Sequence, residues 1–283
     1  MIANRNKNKY KAFGNKHKHG NKLEPGLVGF LCTCNGKFRE KDCLREAYNI
    51  LNEYADELFG PQVSEDIKRP KLTEAGNETL ETDIELSLEK ELESIKSEEN
   101  SKRDVKRFQV AESGANGIVF IKTTVPDPVQ LVYKIVTCFS KGVQKSKFLL
   151  RLLPVEVTCK AFLPEIATAI QPLLQKYFSQ ESKTFAVVFN HRNNDSLNRD
   201  EIIQTIAGLV CEKNLLHKAD LKQPQLVILV EVIRSICCLS VVPDYFSLKK
   251  YNLLEVSLKG KESVSTEESK EKEEKDCTEK ADV

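Results

Sequence analysis

The sequence predicts an α+β protein: a ferredoxin-like first half, a second half of alternating helices and strands, and disordered termini. Three observations carry that prediction. Up to Val155 the apolar residues switch between strand-like and helix-like spacing in the order strand, helix, strand, strand, helix, strand, which is a pair of βαβ halves split around a hairpin. A second series of helix, strand, helix and strands follows from Pro164 to Val242. The two ends are charged and have no apolar periodicity, so they cannot bury enough surface to order themselves.

Residues 1–22 carry seven Lys or Arg and no acid, and read as a disordered basic arm. The apolar run GLVGFLCTC (26–34), bounded by Pro25–Gly26, is a buried strand. Leu44, Ala47, Tyr48, Leu51, Ala55, Leu58 and Phe59 then recur at helical spacing; Asp42 is the expected cap and Gly60–Pro61 the stop. Residues 61–100 hold twelve acids against five bases and only a weak stripe at Ile84, Leu88, Leu92 and Ile95, so they form an acidic insertion. In RFQVAESGANGIVFIKT (107–123) two strand-like runs flank Gly114 to Gly117, a hairpin signal. A glycine-rich phosphate cradle is the rival, but the spacing fits no P-loop and no helix opens there. Asp127–Pro128 starts a helix with Val129, Val132, Ile135, Val136 and Phe139 inward, and KFLLRLLPV (147–155) closes the unit as a strand.

In the second half, Pro164 opens a helix with Ile166, Ala167, Ile170, Leu173, Leu174 and Tyr177 apolar, which Pro172 should kink or shorten. TFAVVFN (184–190) is a strand, and Asn198 with Glu201 resembles a capping box before Ile202, Ile203, Ile206, Leu209 and Val210. The most apolar stretch is LKQPQLVILVEVIRSICCLSVV (221–242). A membrane span needs about 20 apolar residues, and a central charge costs roughly 2.5–3.5 kcal/mol there. The apolar part, 226–242, is shorter and contains Glu231 and Arg234, while β-branched residues dominate it. It is expected to be two adjacent core strands with a bend at Arg234–Ser235. Val230 and Val232 then share one face, and Leu229 and Glu231 the other. Glu231 must reach solvent, a backbone amide or a base such as Arg234.

Charge is balanced overall, 43 Lys and Arg against 42 Asp and Glu, but it is unevenly placed. Residues 101–160 hold eleven bases against four acids, a basic core beside an acidic segment, as many RNA binders have. Ordinary solvated surface charge is the alternative. The N-terminus has no apolar signal segment, so the nine cysteines are expected to be reduced. A structural zinc site wants Cys or His pairs two to four residues apart. Cys32 and Cys34 have one residue between them, and Cys237 and Cys238 are adjacent, so these read as packing thiols. Neither metal nor cofactor is expected, and no membrane.

Several motifs occur together in one order: LEPGLVGFLCTCNG, RFQVAESGANGIVF, RLLPVEVTCKAF, FNHRNND, DLKQPQLVILVEV and CCLSVVPDY. They resemble the THUMP domain-containing protein 1 family across about residues 23 to 255. The resemblance implies a ferredoxin-like domain (23–155, with the acidic insertion) packed on a THUMP domain (156–247), then a C-terminal segment (248–283) disordered from about 259. It also implies a function. Such proteins bind tRNA largely through its acceptor end, and present serine and leucine tRNAs to an RNA cytidine acetyltransferase that makes N4-acetylcytidine. The nucleus or nucleolus is the expected compartment, with the cytoplasm as alternative.

The chain is expected to be non-catalytic. The 41 residues after Val242 are too few and too charged for a catalytic fold, and no GxGxxG opening a helix, GxxxxGK[ST] or HExxH occurs. A Cys159–His191 nucleophile pair stays open at this level, against Cys159 as a packing thiol and His191 as a surface residue; His191 and His217 both fall in polar stretches. RNA needs Lys or Arg for phosphate, and guanidinium, aromatic or amide groups for unpaired bases. Lys147 and Arg151 fall on one strand face by period two, with Lys145 before them and Lys160 after the following bend. His191, Arg192, Asn193 and Asn194 lie at a strand end. Arg199 sits at a helix N-terminus, where the macrodipole disfavours it and another role is implied. Lys183 and Lys218 complete the expected RNA-binding set. Ordinary edge and loop charge is the competing account of each. Two other functions compete with the adaptor: a diverged RNA-modifying enzyme whose site lies in the ferredoxin-like half, and a general RNA-binding or ribosome-assembly factor.

Overall fold

The switches between apolar periods of two and 3.6 resolve into two antiparallel or mixed sheets, each with its own pair of helices. The computed structural model describes residues 22–36, 39–61, 106–142 and 146–258. The expected basic arm (1–21 of it), the acidic insertion beyond Pro61 and the charged tail from 259 lie outside the described residues.

The first sheet comprises β1 (Gly29–Cys34), β2 (Phe108–Ala111), β3 (Ile118–Thr123) and β4 (Leu149–Val155), with α1 (Glu40–Phe59) after β1 and α2 (Pro128–Ser140) after β3. Its strands stand in the order β2-β3-β1-β4 and every neighbouring pair is antiparallel, the connectivity expected from the element order. The central pair β1 and β3 approaches closely at Gly29, where a Cβ would meet the Ile121 carbonyl oxygen at 2.2 Å. Only glycine fits. Asp127 caps α2 as expected, its carboxylate accepting from the Gln130 amide at 2.9 Å. The cap of α1 differs from expectation. Arg39 is the N-cap, and Asp42 lies inside the first turn, where it binds Arg39 at 3.1 Å. A negative charge in that turn still favours the helix through the macrodipole.

The second sheet comprises β5 (Val157–Lys160), β6 (Thr184–Arg192), β7 (Lys218–Ala219), β8 (Leu226–Ile233) and β9 (Ile236–Pro243), in the order β5-β9-β8-β6-β7. Helices α3 (Leu163–Phe178) and α4 (Arg199–Lys213) complete it. Pro172 does not shorten α3: it sits on the exposed side, where the carbonyl its ring leaves without a donor is open to solvent. Asn198 caps α4 by accepting from the Asp200 amide at 2.9 Å.

The apolar stretch 226–242 is a hairpin, its bend at Arg234–Ser235 as expected, with Arg234 in left-handed backbone at φ 55°. Alternation along β8 and β9 sends Ile228, Val230, Val232, Cys237, Leu239 and Val241 into a core closed by α3 and α4. Val227, Leu229, Ile233, Cys238 and Val242 go to the opposite face, into the core of the first sheet. Burial on both faces is why the stretch reads as almost continuously apolar. It also means that the two halves share one core.

That joint is reinforced from both chain directions. Thr158 in β5 donates to the Glu24 carbonyl at 2.8 Å and accepts from the Leu27 amide at 2.7 Å. Tyr133 of α2 donates to Asp244 at 2.9 Å. Beyond β9, Tyr245, Tyr251, Leu253 and Val256 are buried in the same shared core. Reaching it takes a turn in which Lys249, Lys250 and Tyr251 are all left-handed, with φ of 52°, 55° and 57°. Left-handed backbone costs a non-glycine residue about 1–2 kcal/mol. The buried Tyr251 ring, whose hydroxyl donates to the Pro243 carbonyl at 2.8 Å, offsets that cost.

Candidate nucleic-acid interface

The parallel register of β6 on β8 places Asn190 beside Glu231 and Arg192 beside Ile233. Since Leu229 and Glu231 share a face, the end of β6 turns Asn190 and Arg192 toward the first sheet. There a cleft of about 490 Å³ opens between the sheets, lined by Leu31, Thr33, Ile118, Arg151 and Leu153 on one side and by Phe189 to Arg192, Arg199 and Glu231 on the other. Three guanidinium groups and one carboxyl group therefore line the same cleft. Glu231 accepts from the Asn190 side-chain amide at 2.6 Å. Burial holds the Glu231 carboxyl above its ordinary range, against the pull of the Asn190 hydrogen bond and the charges of Arg192 and Arg151. The Arg151 Nε is buried and, among the described residues, has no hydrogen-bond partner.

Beside this cleft a second hollow of about 570 Å³ is lined by Pro25, Lys160, Asn193, Asn194, Ser196 and Arg234. Asn193 turns the chain at φ 54° after β6. The Asn194 side chain donates to the Arg234 carbonyl at 2.6 Å and accepts from the Ser196 amide at 3.1 Å, so the loop is fastened to the β8–β9 bend. The Arg234 guanidinium lies against Gly114, where a Cβ would meet it at 2.6 Å. The glycine loop of the first half thus seats the hairpin bend of the second.

The structure brings Arg151, His191, Arg192 and Arg199 together in the cleft, and Lys160, Asn193 and Asn194 in the adjoining hollow. Others of the expected set lie elsewhere. Lys147 and Arg151 do not share a strand face: Lys147 precedes β4, and a register irregularity pairs Leu149 with Cys34 while Arg151 pairs with Thr33. That irregularity breaks the period of two. Lys147 is exposed, with its ammonium over the Phe148 ring at 5.2 Å. Lys183 and Lys218 sit at the start of β6, whose nine residues set them about 25–30 Å from Arg192. Lys145 lies outside the described residues. His217 is buried rather than in a polar loop, accepting from the Lys183 amide at 3.0 Å and facing the Phe178 carbonyl at 2.9 Å. Glu231 accepts from Asn190 and lies within the field of Arg192 and Arg151, while the Arg234 side chain is taken up at Gly114.

Asn190 and Glu231 were absent from the expected RNA-binding set. The signal for Glu231 was its place as the one charge inside LVILVEVI; nothing local distinguishes Asn190. The Cys159–His191 pairing fails on geometry. β5 and β6 are separated by β9 and β8, which puts them roughly 14 Å apart, and Cys159 faces Cys237 across the β5–β9 ladder. Among the described residues no group of three or more His, Cys, Asp or Glu could hold a metal ion, and no helix is long and apolar enough to cross a membrane.

Residues 160–242 match the THUMP domain family profile. Human THUMP domain-containing protein 1 is 42% identical over 236 residues, covering 83% of this chain and 65% of that protein. The chain therefore spans about two thirds of that relative's length. The Drosophila melanogaster THUMP domain-containing protein 1 homolog is 38% identical over 263 residues, covering 89% of this chain and 80% of the homolog. The Saccharomyces cerevisiae protein named tRNA acetyltransferase TAN1 is 26% identical over 251 residues, covering 82% of this chain and 85% of that protein.

Proposed function

The chain belongs to the THUMP domain-containing protein 1 family, and from that premise we propose that it is a tRNA-binding adaptor in tRNA modification. In this reading it has no active site. It holds serine and leucine tRNAs, as the sequence resemblance implies, and presents them in the nucleus or nucleolus to an RNA cytidine acetyltransferase that forms N4-acetylcytidine. The observation that carries the reading is the inter-sheet cleft, with Arg151, Arg192 and Arg199 around a polar floor. Its volume of about 490 Å³ admits one or two nucleotides but no duplex, which suits a single-stranded acceptor end. Lys160 and the Asn193–Asn194 loop extend polar contacts along the strand's path. The name of the yeast relative supports acetylation as the reaction served.

The domain division is part of the same proposal. β4 ends at Val155 and β5 begins at Val157, so one residue separates the ferredoxin-like unit from the THUMP unit. The tRNA cleft draws Arg151 from the first and Arg192 from the second, and neither unit alone would complete it.

Reconstitution tests the adaptor. Purified chain with tRNA and acetyl-CoA should give no N4-acetylcytidine; adding the acetyltransferase should give it, faster than the acetyltransferase alone. Product formed by the chain alone would favour the hidden-enzyme reading. Equal competition by unrelated structured RNA would favour a general RNA-binding factor.

A further inference from the structure

At the opposite end of β6 from the cleft, the loops around β7 carry Leu215, Leu216 and Leu221, which are 89%, 68% and 77% exposed. Six chain steps take Leu215 to Leu221, so the three backbones lie within about 20 Å. Their backbone is nevertheless fixed. The Leu216 amide donates to the Asn214 side chain at 2.9 Å, the Asp220 amide to the Phe185 carbonyl at 2.8 Å, and the Lys222 amide to Asp220 at 2.8 Å. Buried His217 anchors the first loop from beneath. Large apolar side chains held in water on a rigid backbone are the mark of a docking surface rather than of loose ends.

Charge identifies the occupant. Lys213, Lys218 and Lys222 are exposed around the leucines and outnumber the one exposed acid of the segment, Glu212. The nearby Asp220 carboxylate is committed to the Lys222 and Gln223 amides, at 2.8 and 3.1 Å, which holds it below its ordinary range. A groove of about 440 Å³ continues the patch from Lys222 to Phe246. The fitting surface is apolar at its centre and acidic at its rim.

Resting on the adaptor reading, we infer that this leucine patch is where the chain docks the acetyltransferase it serves, through an acidic-rimmed apolar surface on that enzyme. About 25–30 Å of β6 separates the patch from the arginine cleft, so tRNA and enzyme can be held together.

The test uses the full chain and the purified RNA cytidine acetyltransferase of the same organism. Leu215→Ser, Leu216→Ser and Leu221→Ser together should weaken acetyltransferase binding at least tenfold and leave tRNA affinity within twofold. Lys218→Glu with Lys222→Glu should weaken it in the same direction while leaving the leucines in place. Unchanged acetyltransferase binding in both variants, with tRNA still bound, would overturn the docking site alone. If the parent chain fails to bind the acetyltransferase at all, the adaptor reading falls with it. Loss of self-association in the leucine variant, with acetyltransferase binding intact, would assign the patch to a second copy of the chain and overturn the inference.

Discussion

The two faces of β8 make opposite use of one strand. On one, Ile228, Val230 and Val232 meet the apolar sides of α3 and α4. On the other, Glu231 interrupts Leu229 and Ile233, where the Asn190 hydrogen bond and the charges of Arg192 and Arg151 offset part of the cost of burying it. Arg151 belongs to the first half and the rest to the second. The contrast shows that the closed face holds the second half together, while the open face makes a site only when the halves are joined.

The largest expected effect comes from carrying the charge to the wrong face. Val230→Asp buries a carboxylate with no partner, which should cost on the order of 3–5 kcal/mol and abolish both soluble folding and tRNA binding. Thermal unfolding by circular dichroism checks it; a soluble variant with the parent's Tm would break the assignment of the two faces. Removing the bases of the open face should act on binding rather than folding. Arg151→Ala with Arg192→Ala should weaken tRNA at least about 100-fold, since each hydrogen bond to a charged group contributes roughly 1.5–3 kcal/mol. The slope of log K against log salt should flatten by about 1.4 if both meet single-stranded phosphate.

Glu231→Gln sharpens the comparison through pH. Burial raises the folded-state pKa of Glu231, so the folded chain binds its proton more readily than the unfolded chain does. Glu231 therefore destabilises the fold increasingly as pH rises through that pKa, and not below the unfolded value. The variant should match the parent's Tm at pH 4 and exceed it at pH 7.5, by a few degrees at most. A variant less stable at pH 7.5 would mean that the arginine pairing outweighs burial. The smallest effect is expected at the far end of β6. Lys183→Ala with Lys218→Ala should change tRNA affinity less than about threefold, as should Lys147→Ala, because long-range charge is screened beyond roughly 10 Å.

The element order and the strand faces were legible because both rest on local periodicity, as Val129 to Phe139 in α2 and Val227 to Ile233 in β8 illustrate. Position within a sheet is not local. Nothing in the sequence near Lys183 or Arg192 tells which end of β6 faces the other half, so both entered one expected RNA-binding set. The irregularity in the β1–β4 register that separates Lys147 from Arg151 is a property of the pairing, not of either strand. The burial of His217 is hidden for a related reason: its neighbours Asn214 and Lys218 are polar, but a turn folds its ring beneath them against Phe178. Tyr251, Leu253 and Val256 were hidden by the charged sequence on either side of them.

The central claim is that the inter-sheet cleft holds the single-stranded end of tRNA. It is tested most directly by titrating the parent and the Arg151→Ala, Arg192→Ala variant with intact tRNA and with the same tRNA lacking its single-stranded 3′ end. If the cleft holds that end, the two changes report one interaction: trimming should weaken the parent markedly, and the variant should bind intact and trimmed tRNA with nearly equal affinity. Independent, additive losses from the substitutions and from the trimming would contradict the account and place the RNA end elsewhere on the chain.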